Sequence, residues 1–260
     1  MAEPAVSVLM TLYNRERYVA AAIESVLAQR FTDFELIIVD DRSTDQSVAI
    51  ARRYEQQDAR VRVVVNERNL GDYGNRNHAA SLACGRLLKY HDSDDIMYPH
   101  CLETMVSMLD LEPEAGFALS SGWAWDGGPC PMLLTPRQCY QRDFLGYGMF
   151  MAGPSGALFR TSVFRELGGF ENHGAASDLM FWLRVCARVS VVLVPADLFW
   201  YRIHAGQELT STAGQKAYAR THAAFWEAVN AESCPLDAEE RVRARQRVAF
   251  DLAKSLWRDV

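Results

Sequence analysis

The chain has 260 residues, 49% hydrophobic and 23% charged, enough for a sizeable core in one large domain or two small ones. Its net charge of -6 disfavours nucleic acid as a general partner, because neutralising phosphates takes basic surface. No apolar stretch approaches the ~20 residues of a membrane-spanning helix, the start Met-Ala-Glu-Pro lacks the basic segment of a secretory leader, and the six cysteines form no CxxC pair, so reduced thiols in a cytoplasmic protein are expected rather than a disulfide framework or a zinc site.

In chain order, AVSVLMTLY (5–13) reads as a buried strand. A helix follows, with Tyr18, Val19, Ala22, Ile23, Val26 and Leu27 on one face. FELIIVD (34–40) is a second strand, and STD (43–45) can cap the next helix, which runs through Tyr54. VRVVVN (61–66) is a third strand. The glycine-containing NLGDYGNRN leads into a helix near 75–84, RLLKYHD (86–92) is a fourth strand, and Pro99 starts a helix to about 110. Strand-helix alternation with short connections predicts an α/β fold, a mostly parallel sheet covered by helices. Ligands of such sheets lie at the carboxyl ends of the strands, here Tyr13-Asn14, Asp40-Asp41, Asn66 and Asp92.

Beyond residue 112 the alternation weakens. GFALSSGWAW reads as a strand, 126–153 as loop or mobile flap, SGALFR as a strand and TSVFRELGGF as a short helix closed by its glycines. SDLMFWLRVCARV (177–189) is an apolar helix, followed by VVLVP and LFWYRIH as strands. The segment 211–260 reads as two helices, the second with Asp237 and Glu240 at capping-box spacing.

The run HDSDD crowds Asp92, Asp94 and Asp95 into four positions. Unpaired burial of such charges is unfavourable. A Mg2+ or Mn2+ ion takes only one or two protein carboxylates when phosphates supply other oxygens, so a metal-nucleotide site is expected. Asp95 also suits a plain helix start before Pro99.

VSVLMTLYNRERYVAAAIESVLAQRFTDFELIIVDDRSTDQSVAIARRY resembles the nucleotide-binding half of the GT-A glycosyltransferases, family 2. NLGDYGNRN, the DSDD run, GGFEN with SDLMFWLR, and YRIH follow in the family's order, so the resemblance spans about residues 5–205. It implies a GT-A domain over 1–205, with a nucleotide-binding half (1–112) and an acceptor/catalytic half (113–205), and a C-terminal helical extension (206–260). It implies a metal-dependent inverting transferase that moves one sugar from a nucleotide-diphosphate sugar, UDP- or dTDP-linked, to a saccharide or lipid-linked acceptor, in assembling a surface glycan.

By the same resemblance, Tyr13 with Thr11 beside it stacks on the base, Asp40 accepts from a uracil-type N3–H, and Arg76 contacts base or phosphate. Asp92 binds ribose, Asp94 ligates Mn2+ or Mg2+, His204 ligates the metal or contacts diphosphate, and Asp178 is the catalytic base. Ser177 departs from the family's Glu-Asp pair. That departure keeps open a nucleotide-sugar-binding protein without turnover. A sugar-phosphate nucleotidyltransferase is a further alternative, although no glycine-rich, lysine-bearing loop stands near the start. The absence of G-x-G-x-x-G after the first strand disfavours a dinucleotide-dependent oxidoreductase. No Q-x-x-R-W element marks a processive synthase.

Trp123 and Trp125, two apart, would share a strand face able to meet an acceptor sugar. Arg241, Arg243, Arg245 and Arg247 could touch an anionic membrane surface, although 206–260 carries eight basic and eight acidic residues, as a solvated face would.

Overall fold

The computed structural model describes residues 3–120, 129–146, 148–150, 152–207 and 221–258. Trp123 and Trp125 lie outside them. Strands β1 (Val6–Leu12), β2 (Phe34–Asp40), β3 (Val61–Val65) and β4 (Leu87–Tyr90) form a parallel half-sheet in the order β3-β2-β1-β4. They alternate with helices α1 (Val19–Leu27), α2 (Ser47–Gln57) and α3 (Asp72–Ser81). The pattern behind this is period two with both faces buried. Val8, Met10, Leu36 and Ile38 enter one apolar core, while Leu9, Ile37 and Val39 enter the other.

The sheet continues through β8 (Ala157–Arg160), β6 (Ala115–Ser120), β9 (Ser190–Val194) and β7 (Met132–Leu134). β8 runs antiparallel to β4 and β6, and β7 antiparallel to β9. Helix α4 (Cys101–Asp110) precedes β6, α6 (Thr161–Glu166) follows β8, and α7 (Ser177–Cys186) leads into β9. Trp182 anchors α7: it is fully buried, stacks on Phe117 and Phe159, and its indole N–H donates to Ala152 O at 2.7 Å.

Two expectations need correction. The segment 126–153 is not all loop, since it contains β7 and the helix α5 (Pro136–Leu145). Thr135 and Gln138 cap α5 reciprocally and Pro136 occupies its first turn. Proline there starts a helix rather than breaking one, but its glycine- and proline-rich flanks obscure that signal. The stretch LFWYRIH is a strand only at β10 (Phe199–Trp200), which pairs with β5 (Ile96–Met97). Farther on, Arg202 N donates to the Asp95 carboxylate and His204 N to the Gln207 side chain, so side chains take the place of a ladder.

The tail forms α8 (Thr221–Asn230) and α9 (Ala238–Arg258). Asp237 and Glu240 exchange the bonds of a capping box, at 3.0 and 2.9 Å. Arg137 of α5 pairs with both. Arg241 is turned inward to Cys234 O and Leu236 O, which ties up one member of the expected basic cluster.

Candidate active site

The carboxyl ends of β1, β2 and β4 open on one crevice. β1 ends at Thr11-Leu12, opposite Val39-Asp40 of β2. Tyr13 follows, 48% exposed, with its ring free to take a flat ligand. Asn14 turns the chain with φ 52 and accepts from Thr44 N through its side chain, at 2.8 Å. Asn is one of the few residues that tolerates this left-handed backbone.

Asp40 is fully buried. One carboxylate oxygen accepts from Ser43 N at 2.9 Å; the other, Oδ1, has no protein partner. Such an acceptor costs roughly 1–3 kcal/mol until something donates to it. Neighbouring Asp41 is structural. Its two oxygens accept from Leu70 N at 2.7 Å and Gly71 N at 2.9 Å, and Asn66 Nδ2 joins at 2.8 Å. Gly71 has φ 76, a conformation suited to glycine. This turn sets the start of α3.

Helix α3 then presents Asp72 and Arg76. Arg76 is buried, and its guanidinium bridges two carboxylates: Nε donates to Asp72 Oδ1 at 3.0 Å and Nη2 to Asp92 Oδ1 at 2.7 Å. Its Nη1 is buried without a hydrogen-bond partner. Burial works to raise the Asp92 carboxyl, but Arg76 outweighs it and holds Asp92 below the ordinary carboxylate range. Ser155 Oγ accepts from Asp92 N at 3.1 Å.

Beneath the acidic loop lies Lys89, fully buried on β4. Its ammonium donates to Tyr90 O and Ser155 O. This cation is part of what makes three neighbouring acids tolerable. Asp94 has two neighbours of its own: Oδ2 accepts from Arg15 Nε at 2.8 Å and lies 3.0 Å from His204 Nε2. Gly206 N donates to His204 Nδ1 at 3.2 Å, which leaves Nε2 as the nitrogen that carries hydrogen toward Asp94 in the neutral ring. Asp95 is not the helix cap expected of it. It is fully buried, accepts from Arg202 N at 3.0 Å, and leaves Oδ2 unpartnered. Burial and the charge on Asp92 push its carboxyl up to about 8. α4 instead follows His100, which makes no capping bond.

Asp178 opens α7. Asn77, next to Arg76, exchanges two hydrogen bonds with the backbone of Phe170, at 2.7 and 2.9 Å. This clamps α3 to the GGF turn that leads into α7. Gly169 is required there: its φ is 71, and an added Cβ would come within 2.5 Å of Asn77 Oδ1. Asp178 thereby comes within electrostatic reach of Arg76 and Asp72. Burial is the largest influence on it; Leu179 N and Arg76 pull its pKa down, Asp72 pushes it up, and the result is about 7. Ser177 is buried and closes its own turn, donating to Gly174 O and accepting from His173 N, both at 2.7 Å.

The fold thus sets Thr11, Tyr13, Asp40 and Asp92 at neighbouring strand ends, pairs Arg76 with Asp92 and His204 with Asp94, and brings Asp178 within electrostatic reach of Arg76. It adds Arg15, Asp72, Lys89, Ser155 and Arg202. Only the Asp72–Arg76 pair left a trace in the sequence, as opposite charges four apart on one helix; the others meet through tertiary contacts.

Asp94 would hold a divalent cation here, with His204 Nε2 3.0 Å from its Oδ2. Asp94 supplies a carboxylate with an imidazole beside it, and a hard cation needs few protein oxygens when a diphosphate completes its shell. Among the described residues no group of three or more His, Cys, Asp or Glu is placed to hold a metal.

The family model described as glycosyl transferase family 2 matches residues 7–168. The chain is 38% identical over 104 residues to UDP-Glc:alpha-D-GlcNAc-diphosphoundecaprenol beta-1,3-glucosyltransferase WfgD of Escherichia coli, a stretch covering 40% of each protein. Its fold is similar to that of S. aureus TarS 1-349 in complex with UDP-GlcNAc, with TM-score 0.70, 20% identity, and coverage of 94% of this chain and 71% of that one. It is also similar to that of the mannosyltransferase PcManGT from Pyrobaculum calidifontis in complex with GDP-Man and Mn2+, with TM-score 0.69, 18% identity, and coverage of 98% and 76%. The chain spans about two fifths of the length of several curated relatives that it matches.

Proposed function

The chain belongs to glycosyl transferase family 2, and from that premise we propose that it transfers a single sugar from a UDP- or dTDP-sugar to an acceptor hydroxyl, with inversion and with help from Mn2+ or Mg2+. The observation that carries this reading is the placement of Asp40, Asp92 and Asp94 at neighbouring strand ends, each with different partners, with Asp178 in electrostatic reach of Arg76.

Tyr13 stacks on the base, and the unpartnered Asp40 Oδ1 accepts its N3–H. Asp92, kept ionised by Arg76, accepts from the ribose. Asp94, with His204 beside it, would hold the cation, which when bound neutralises charge on the departing diphosphate. Asp178 takes the proton of the acceptor hydroxyl as its oxygen bonds to the anomeric carbon and the bond to the diphosphate breaks. A base with a pKa near 7 is well matched to this task. Most of the rate gain then comes from positioning and prearranged charge.

The acceptor is a saccharide or a lipid-linked saccharide. The lipid-linked acceptor in the printed name of WfgD supports the second. Six free cysteines support a cytoplasmic setting, and among the described residues no helix is long and apolar enough to cross a membrane. Contact of α9 with a membrane surface would rest on fewer arginines than the sequence offers, since Arg241 is turned inward.

The test is release of UDP from UDP-sugars in Mn2+, with and without candidate acceptors. Acceptor-stimulated release supports transfer. Pyrophosphate release from a nucleoside triphosphate points to a nucleotidyltransferase, and tight nucleotide binding without turnover to a binding protein.

The pH profile carries a signature of Asp178. Its raised pKa means that the carboxyl is protonated, and unable to act as base, below about 7. Initial rates at low donor concentration should climb about tenfold per pH unit up to that point and level off above it. A profile flat from pH 5 to 8 would exclude Asp178 as the base.

A further inference from the structure

The first turn of α7 contains one acid, Asp178, because Ser177 stands where the family resemblance places Glu. A second carboxylate within electrostatic reach of Asp178 comes from α3. Asp72 forms an ion pair with Arg76 at 3.0 Å while its side chain stays 34% exposed, in contrast to the 8% of the Arg76 side chain. The same guanidinium holds Asp92 at 2.7 Å. Arg76 thus joins Asp72 to the carboxylate assigned to ribose, and Asp178, assigned to the acceptor proton, is within electrostatic reach of both Arg76 and Asp72. In the proposed reaction, the sugar in transfer is held between ribose and acceptor, next to these groups.

The chemistry there suits a sugar. Asp72 is an ionisable acceptor open to the crevice. Arg76 Nη1 is a buried donor with no protein partner, on a residue only 7% exposed. A hydroxyl both donates and accepts, so a carboxylate paired with a free guanidinium N–H can satisfy both of its functions. The arrangement is set before any ligand arrives. Asp41 fixes the backbone of Leu70 and Gly71 just ahead of Asp72, Asn77 fixes α3 to the Phe170 turn, and Tyr90 Oη donates to Arg76 O at 3.1 Å. Such preorganisation is what a specificity contact requires.

We propose that Asp72, oriented by Arg76, is a donor-sugar recognition residue that accepts a hydrogen bond from a hydroxyl of the transferred sugar, with Arg76 Nη1 donating to the same sugar. This rests on the nucleotide-sugar reading above. Arg76 thereby serves two neighbours at once, the ribose through Asp92 and the sugar through Asp72.

The test compares binding of UDP with that of UDP-glucose, UDP-galactose and UDP-N-acetylglucosamine by calorimetry in Mn2+, for the unaltered protein, Asp72→Ala and Asp72→Asn. The unaltered protein should bind one of the sugar nucleotides more tightly than UDP. Asp72→Ala should weaken that ligand at least tenfold while changing UDP less than twofold, and Asp72→Asn, which keeps an acceptor oxygen, should fall between. The 2-deoxy to 6-deoxy forms of that sugar should include one that binds the unaltered protein weakly and loses nothing further in Asp72→Ala. Equal weakening of UDP and sugar nucleotide would overturn the proposal, because Asp72 would then only brace Arg76. So would the absence of any change, or of any gain from the sugar in the unaltered protein. Failure to bind either UDP or dTDP would overturn the nucleotide-sugar reading itself.

Discussion

Replacing Asp178 with Asn is expected to lower turnover by about 10²- to 10⁴-fold, the usual contribution of a positioned general base, while UDP binding stays within twofold. The reason is local. Asp178 lies at the first turn of α7, away from the β1–β2 end assigned to the base, and among the described residues it forms no salt bridge that its loss would break; its carboxylate accepts from Leu179 N at 2.7 Å, which an amide oxygen can also do. The substitution removes proton acceptance and little else. Single-turnover rates with saturating donor, set beside calorimetric UDP affinity, check this. A loss of turnover matched by an equal loss of UDP affinity would mean that Asp178 acts through the nucleotide rather than on the acceptor.

The second large effect separates neighbours. Asp94→Ala should remove most activity and the stimulation by Mn2+ or Mg2+, yet leave the fold stable, because its partners Arg15 and His204 are both partly open to water, as is Asp94 itself with its side chain 13% exposed. Asp95→Ala should do the reverse. Asp95 is fully buried and holds Arg202 N, so its removal leaves a partly buried donor unpaired, at a cost of up to about 1–3 kcal/mol. The loss should appear as a lower midpoint in urea, with activity under folding conditions far less reduced than in Asp94→Ala. Asp95→Asn should recover much of the stability, since the carboxyl is largely protonated at neutral pH. Equal losses of activity in Asp94→Ala and Asp95→Ala, at equal folded fraction, would show that the metal is shared between them.

The parallel half of the fold is legible in the sequence because its strands carry continuous apolar runs ending in polar residues, and the ends of such strands are where ligands gather. Tyr13, Asp40 and Asp92 each stand at such an end. The acidic loop is legible as a cluster, but the division of labour within it is not. Asp95 looks like a helix cap beside Pro99, and only the pairing of β5 with β10 brings Arg202 over it. The countercharges follow the same rule. Lys89 interrupts an apolar strand, which gives no hint that its ammonium lies beneath the acids. Arg15 reaches Asp94 across 79 positions of sequence. Helix α5 is hidden for a different reason, since its start signal sits in a stretch whose glycines and prolines suggest loop.

The central claim is that the crevice takes a nucleoside diphosphate together with a divalent cation at Asp94. Calorimetric titration of UDP and dTDP into the unaltered protein and into Asp94→Ala, each with Mn2+ and with EDTA, tests it most directly. The account predicts binding by the unaltered protein that strengthens at least tenfold with Mn2+, and an Asp94→Ala variant that binds equally in both conditions. Affinity indifferent to Mn2+ in the unaltered protein, or a Mn2+ effect undiminished in Asp94→Ala, would contradict it.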